Sequence, residues 1–193
     1  MIEAIAPYAK KTEQKNVTSL YIDYKTRKSK LVLVLCPEWA PMFPPFNLAR
    51  LSGIAKTAGY ETHIMDINVR AYNEYKGNWE PNKILPFRLW DPSATWHWLG
   101  DSYQRDIHPT LEPILEESLQ KILDINPDLV GFTNYYVNEE PTKWMCQAIK
   151  KRAPHIKIAI GGSNVQKGWF PIEPYYDYVV NGEGEEALLK ILE

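Results

Sequence analysis

In residues 30–36, KLVLVLC, Lys30 opens an unbroken apolar run that includes β-branched Val32 and Val34, the pattern of a strand covered on both faces. The next stretch changes period. FNLARLSGIAKTAGY (46–60) places Leu48, Leu51, Ile54 and Ala55 at helical spacing, with Asn47 as the expected N-cap and Gly59 as the closing glycine. ETHIMDI (61–67) predicts a second strand, and TLEPILEESLQKILDI (110–125) a helix whose Pro113 falls in its tolerant first turn. PDLVGFT (127–133), IKIAIGG (156–162) and YDYVVNG (176–182) predict three further strands. EEPTKWMCQAIKKRA (139–153) is a helix with Pro141 near its start and basic residues at its end, and EEALLKILE (185–193) begins another.

Strands alternating with helices imply a three-layer, Rossmann-like or flavodoxin-like α/β domain. Its expected core is an open parallel sheet of five strands in the order 2-1-3-4-5. Two segments stand outside that rhythm. Residues 1–29 are polar and mixed, with VTSLYIDY as a possible short strand, and are expected to be an extension to a domain spanning 30–193. Residues 68–108 hold Trp79, Trp90, Trp96 and Trp98 with no clean period. They are expected to be an ordered, aromatic-rich insertion, packed as a satellite core on the sheet edge or against a neighbouring domain.

Composition narrows the function. The net charge is −2 and the isoelectric point about 6.1, so the overall balance favours neither nucleic acid nor an anionic membrane as partner. No apolar run approaches the ~20 residues of a transmembrane helix, and the first residues lack the apolar core of a signal peptide, so a cytoplasmic location is expected. The two cysteines, Cys36 and Cys146, cannot by themselves hold a tetrahedral zinc or an iron–sulfur cluster, and are expected to be buried thiols.

Ligands of open parallel sheets sit at the carboxyl ends of the strands, which selects the loops 36–46, 133–139, 161–169 and 181–185. The first, CPEWAPMFPPFN, has four prolines and no glycine, which disfavours a dinucleotide or P-loop phosphate site and weakens Asp66 as a ribose-binding acid. The loop GGSN offers two glycines for close backbone approach with an uncharged hydroxyl and amide; a turn with a capping role is the simpler alternative. In NGEGEE, Glu185 and Glu186 suit the first turn of a helix, whereas Glu183, between Gly182 and Gly184, has no such explanation.

Four segments, PPFNLARLSGIAKTAGYETHIMDIN, NPDLVGFTNYY, IKIAIGGSN and YDYVVNGEGEEALLKIL, occur together on these loops. In order and spacing they resemble the cobalamin-binding domain that precedes the radical domain in cobalamin-dependent radical S-adenosylmethionine enzymes. The resemblance covers roughly residues 31–193. It implies that Pro44, Pro45 and Phe46 wall the corrin side of a cleft. Thr133 and Asn134 would face the corrin edge, and Gly161, Gly162 and Ser163 would lie along the nucleotide tail. Gly182, Glu183 and Gly184 would close the tail pocket. Asn47 stands where the family usually has glycine, which puts close ligand approach there in doubt.

The loop after the first strand also lacks the Asp-x-His-x-x-Gly of mutase-type domains, whose histidine binds cobalt. The cofactor is therefore expected base-off without a protein histidine ligand, its lower face either open or covered by side chains such as Glu38 and Trp39. His63, His97 and His108 are expected to be structural or surface residues. The chain contains no Cys-x-x-x-Cys-x-x-Cys, so the 4Fe-4S cluster and S-adenosylmethionine would belong to a radical domain supplied in cis or in trans. The implied activity is methyl transfer by methylcobalamin, with no catalytic side chain in this domain. A different class of function remains open: the same fold without its cofactor, acting as a docking or substrate-facing module.

Overall fold

The computed structural model describes residues 28–75 and 89–193. A five-stranded parallel sheet runs in the order 2-1-3-4-5, as the alternation predicts. Its strands are β1 (Lys30–Leu35), β2 (Glu61–Asp66), β3 (Leu129–Thr133), β4 (Lys157–Gly161) and β5 (Tyr178–Val179). β1 pairs with β2 on one side and with β3 on the other, so it is central and takes cover on both faces.

Its residues divide strictly by parity. Leu31, Leu33 and Leu35 join a smaller core with Leu48 and Ala55 of α1 (Phe46–Thr57) and Leu188 and Leu192 of α6 (Gly184–Leu192). Val32, Val34 and Cys36 join the larger core. That core is covered by α2 (Ile67–Tyr75), α4 (His108–Ile125) and α5 (Glu139–Arg152), with α3 (Gly100–Ser102) a single turn ahead of α4. The unbroken apolar run of β1 is what this double burial requires. Both thiols are buried; burial pushes Cys36 up to about 12 and raises Cys146 as well, which leaves neither poised as a nucleophile.

Gly59 closes α1 as expected, at φ +87°. Its N–H donates to the carbonyl of Lys56 (2.9 Å) and that of Tyr60 to Ala55 (3.0 Å), the paired bonds of a Schellman stop.

Asn47, by contrast, is not the N-cap. The cap is Pro45, without a side-chain bond, and Asn47 lies one residue inside α1. Its Nδ2 donates instead to Thr133 Oγ1 at the end of β3 (2.8 Å), because the stiff proline loop carries the helix start past the strand end. Ile67, expected to end the second strand, and residues 68–75, expected to open the aromatic-rich insertion, form α2. Asp66 starts it by accepting from Val69 N–H (2.8 Å), which gives this carboxylate a structural role at the end of β2.

Among the described residues, Trp90 and Trp98 do not form the expected satellite core. Trp98, fully buried with Tyr103 and Ile107, belongs to the larger core, and Trp90 packs on it with ring centroids 5.8 Å apart. A 3₁₀ segment (Pro92–Trp98) and a wider π turn (Tyr103–Ile107) carry these residues into α4, so irregular helical geometry hides the period. Trp96 is exposed, and Trp79 and the VTSLYIDY stretch lie outside the described residues.

β5 is shorter than the 176–182 expected. Asp177 fixes its start by accepting from Ile158 N–H (2.8 Å), Lys150 (2.5 Å) and Lys157 (3.0 Å), while Val180 N–H still reaches Ile160 carbonyl (2.8 Å). Among the described residues no helix is long and apolar enough to cross a membrane.

Candidate functional site

The carboxyl ends of β1 and β3 are held together by one side chain. Asn138, fully buried, donates from Nδ2 to the carbonyls of Cys36 (3.3 Å) and Thr133 (3.2 Å) and accepts from Tyr135 N–H (2.8 Å). Above this staple, Trp39 stacks on Tyr135 with centroids 4.1 Å apart. Trp39 N–H donates to Asn68 Oδ1 (3.0 Å), which also accepts from Trp90 Nε1 (2.9 Å). The loop after β1 is thereby tied to both β3 and α2.

A second clasp joins β3 to β4. Asn134 N–H donates to Gly161 carbonyl (2.6 Å), and Asn164 Nδ2 donates to Asn134 Oδ1 (2.8 Å) and Glu139 Oε2 (2.9 Å). Gly162 turns at φ +119°, and a Cβ on it would stand 2.4 Å from the carbonyl oxygen of Asn134. Only glycine permits that approach.

Between these clasps and the helices opens a cleft of about 430 Å³. Its floor is the smaller-core face of β1, β3 and β4, and its two long walls are α1 and α6. Phe46, Asn47, Arg50 and Leu51 face it from α1, and Gly184, Glu185, Leu188 and Ile191 from α6, each set at helical spacing. Missing side chains keep it open. A Cβ on Gly131 would sit 3.0 Å from Leu33 Cδ2, one on Gly184 3.4 Å from Leu51 Cδ2, and one on Gly161 3.5 Å from Val180 Cβ.

Eight of the sequence candidates line this cleft: Phe46, Asn47, Thr133, Gly161, Gly162, Gly182, Glu183 and Gly184. Glu183 is the N-cap residue of α6, but its carboxylate makes no cap bond and is exposed. The other six lie around the cleft on the same sheet edge and do not line it. Pro44 and Ser163 are exposed, Pro45 is half-buried, and Asn134 is fully buried in its clasp. Trp39 belongs to the stack, and burial pushes the Glu38 carboxyl up to about 7, with Oε2 shielded from solvent and unpartnered.

Leu33, Gly131, Ala159, Leu188 and Arg50 escaped the sequence reading. A glycine inside an otherwise apolar strand was the signal for Gly131. None of the four histidines lines the cleft. His63 bonds Glu61 (2.9 Å) at the outer strand, His97 bonds Asp106 (2.9 Å), His108 rests against Trp144, and His155 bonds Asn126 (3.0 Å).

The lining is mainly apolar, glycines and Ala159 stand where larger side chains would narrow it, and the glycine loops border its mouth.

The model of the B12 binding domain family matches residues 101–192, which bears out the cobalamin-binding resemblance over the last three of the four segments. The solved structure of the radical S-adenosylmethionine methyltransferase TsrM from Kitasatospora setae with cobalamin and a [4Fe-4S] cluster bound is 18% identical, with a TM-score of 0.50 over 85% of this chain. The same enzyme with tryptophan substrate and a S-adenosylmethionine analogue gives 19% identity and a TM-score of 0.49, also over 85% of this chain. At these identities the likeness is one of fold, and this chain spans only 26% and 25% of the two structures. No curated protein matches the chain.

Proposed function

We propose that this chain, matched over residues 101–192 by the B12 binding domain family, holds a cobalamin at the carboxyl edge of its sheet with the nucleotide tail in the α1–α6 cleft. The observation that carries the reading is the cleft itself, a slot walled by two helices and kept open by Gly131, Gly161 and Gly184. Leu33, Leu51, Leu188 and Ile191 would exclude water from the tail. Asn47 and Thr133, already bonded to each other, would present a polar edge, and Gly182, Glu183 and Gly184 would close the mouth. The cofactor would be base-off, and no histidine stands on the cleft wall to replace the displaced base.

Within that reading the domain positions and shields the cofactor, and the radical domain acts in cis or in trans. When bound, cobalamin would supply methyl-transfer chemistry, as expected for a part of a radical S-adenosylmethionine methyltransferase. Pro44, Pro45, Phe46, Glu38 and Trp39 would border the corrin, and Asn134 and Ser163 would brace the loops beside it.

The test is reconstitution. The intact protein, mixed with hydroxocobalamin and desalted, is expected to retain corrin absorbance with a base-off spectrum. No retention in either oxidised or reduced conditions sinks this reading and leaves the same fold as a docking module without a cofactor.

A further inference from the structure

The cleft is mainly apolar but carries three charged side chains, Arg50, Glu183 and Glu185. Arg50 of α1 and Glu185 of α6 both line it, and their side chains meet across it, Nε to Oε1, at 2.6 Å. The pair thus bridges the two helices that wall the slot. Among the described residues lining the cleft, Arg50 is the sole cation, set against the carboxylates of Glu183 and Glu185. While Arg50 is engaged by Glu185, the lining as a whole is net negative.

A cobalamin tail carries a phosphodiester anion, which such a lining repels. We infer that Arg50 is the anion-recognising residue of the cleft, held by Glu185 in the empty state and exchanged to the tail phosphodiester on binding. The inference rests on the cobalamin reading above and adds to it a residue that selects for the tail. Two features make the exchange feasible. The Arg50 side chain is 68% exposed, so its ion pair is held in high dielectric and is weak. A guanidinium also presents a planar fork that suits a phosphate at least as well as a carboxylate. Glu185, at 21% exposure, is the less mobile partner, so it is Arg50 that would swing.

The two residues should then act in opposite directions, which a bracing ion pair would not produce. The experiment titrates the intact protein and its Arg50→Gln and Glu185→Gln variants with hydroxocobalamin. A parallel series uses dicyanocobinamide, which lacks the nucleotide and its phosphodiester. Arg50→Gln is expected to weaken cobalamin binding about tenfold, the loss of one charge-assisted contact at a partly exposed site. Glu185→Gln is expected to strengthen it about three- to fivefold by freeing the guanidinium. Cobinamide binding should stay within about twofold for both. Thermal unfolding of both variants should fall alike, since each loses the same pair.

If both variants weaken cobalamin, if neither changes it, or if cobinamide shifts in parallel, the exchange is wrong while the cofactor reading stands. If the wild-type protein binds neither corrinoid, the cofactor reading fails and takes the exchange with it.

Discussion

Replacing Gly162 by alanine tests whether the β3–β4 clasp shapes the cleft. Gly162 adopts φ +119°, a region where an L-residue carries about 1–3 kcal/mol of strain. Its new Cβ would also stand 2.4 Å from the Asn134 carbonyl oxygen and 2.9 Å from its nitrogen. Both are backbone atoms of a loop whose N–H already bonds Gly161, so no side chain can swing aside, and forced shifts of this kind cost a further ~1–3 kcal/mol.

The total is about 2–6 kcal/mol, or roughly 5–20 °C in Tm at about 2–4 °C per kcal/mol for a chain of this size. Two controls separate the contributions. Gly168 has φ +84° with nothing near its Cβ, so Gly168→Ala should show only strain, about 1–2 kcal/mol. Gly53, in the interior of α1 with open space around it, should gain about 0.5–1 kcal/mol as alanine. Thermal unfolding of the three variants reads the series directly. A Tm for Gly162→Ala no lower than that of Gly168→Ala would refute the claim that close approach to Asn134 demands the glycine.

Three further outcomes follow from the same geometry. Gly131→Val should fill the cleft floor beside Leu33 and abolish retention of cobalamin while sparing that of cobinamide; equal loss of both in spectral titrations would count against the tail slot. Asn138→Ala removes a buried side chain joining Cys36, Thr133 and Tyr135 and should cost about 2–4 kcal/mol in denaturant unfolding, with a loss under about 1 kcal/mol denying it a stapling role. The Glu38 carboxyl is raised by burial from 4.5 to about 7, so the folded state binds its proton more tightly than the unfolded chain. That stabilisation is complete below pH 4.5 and disappears as pH rises through about 7. Glu38→Gln should therefore gain stability relative to wild type across that window; a difference independent of pH would contradict the buried-acid assignment.

What could be read from the chain depended on whether one physical demand governed a segment. β1 was legible because a central strand needs apolar residues at every position, and the Gly59 stop because a left-handed residue after a helix selects glycine. The two glycine turns beside the cleft were legible for the same reason. Segments answering to several demands were not. In α2, Asn68 sits fully in the interior as the acceptor for Trp39 and Trp90, so a polar residue occupies a core position and breaks the expected stripe. Trp98 and Tyr103 reach the core from 3₁₀ and π geometry, where the 3.6-residue period does not apply.

The candidate site shows the same division. Motif glycines mark where the chain turns at the cleft mouth and help keep the slot open, yet its floor depends on neighbours that no single segment brings together. Leu33 and Gly131 are register partners on adjacent strands, and Ala159 pairs with Gly131 from the next. One large residue and two small ones side by side create a shallow floor, a property of the sheet's register rather than of any one segment. Asn47 illustrates the point from the other direction. As a lone departure from the expected glycine it argued against close ligand approach. In the fold its amide is spent on Thr133, its side chain joins the wall, and the open space lies beside it, over Gly131. Whether a ligand can approach is thus decided by the strand interior and the helix pair, and substitutions at Gly131 should outweigh those at Asn47.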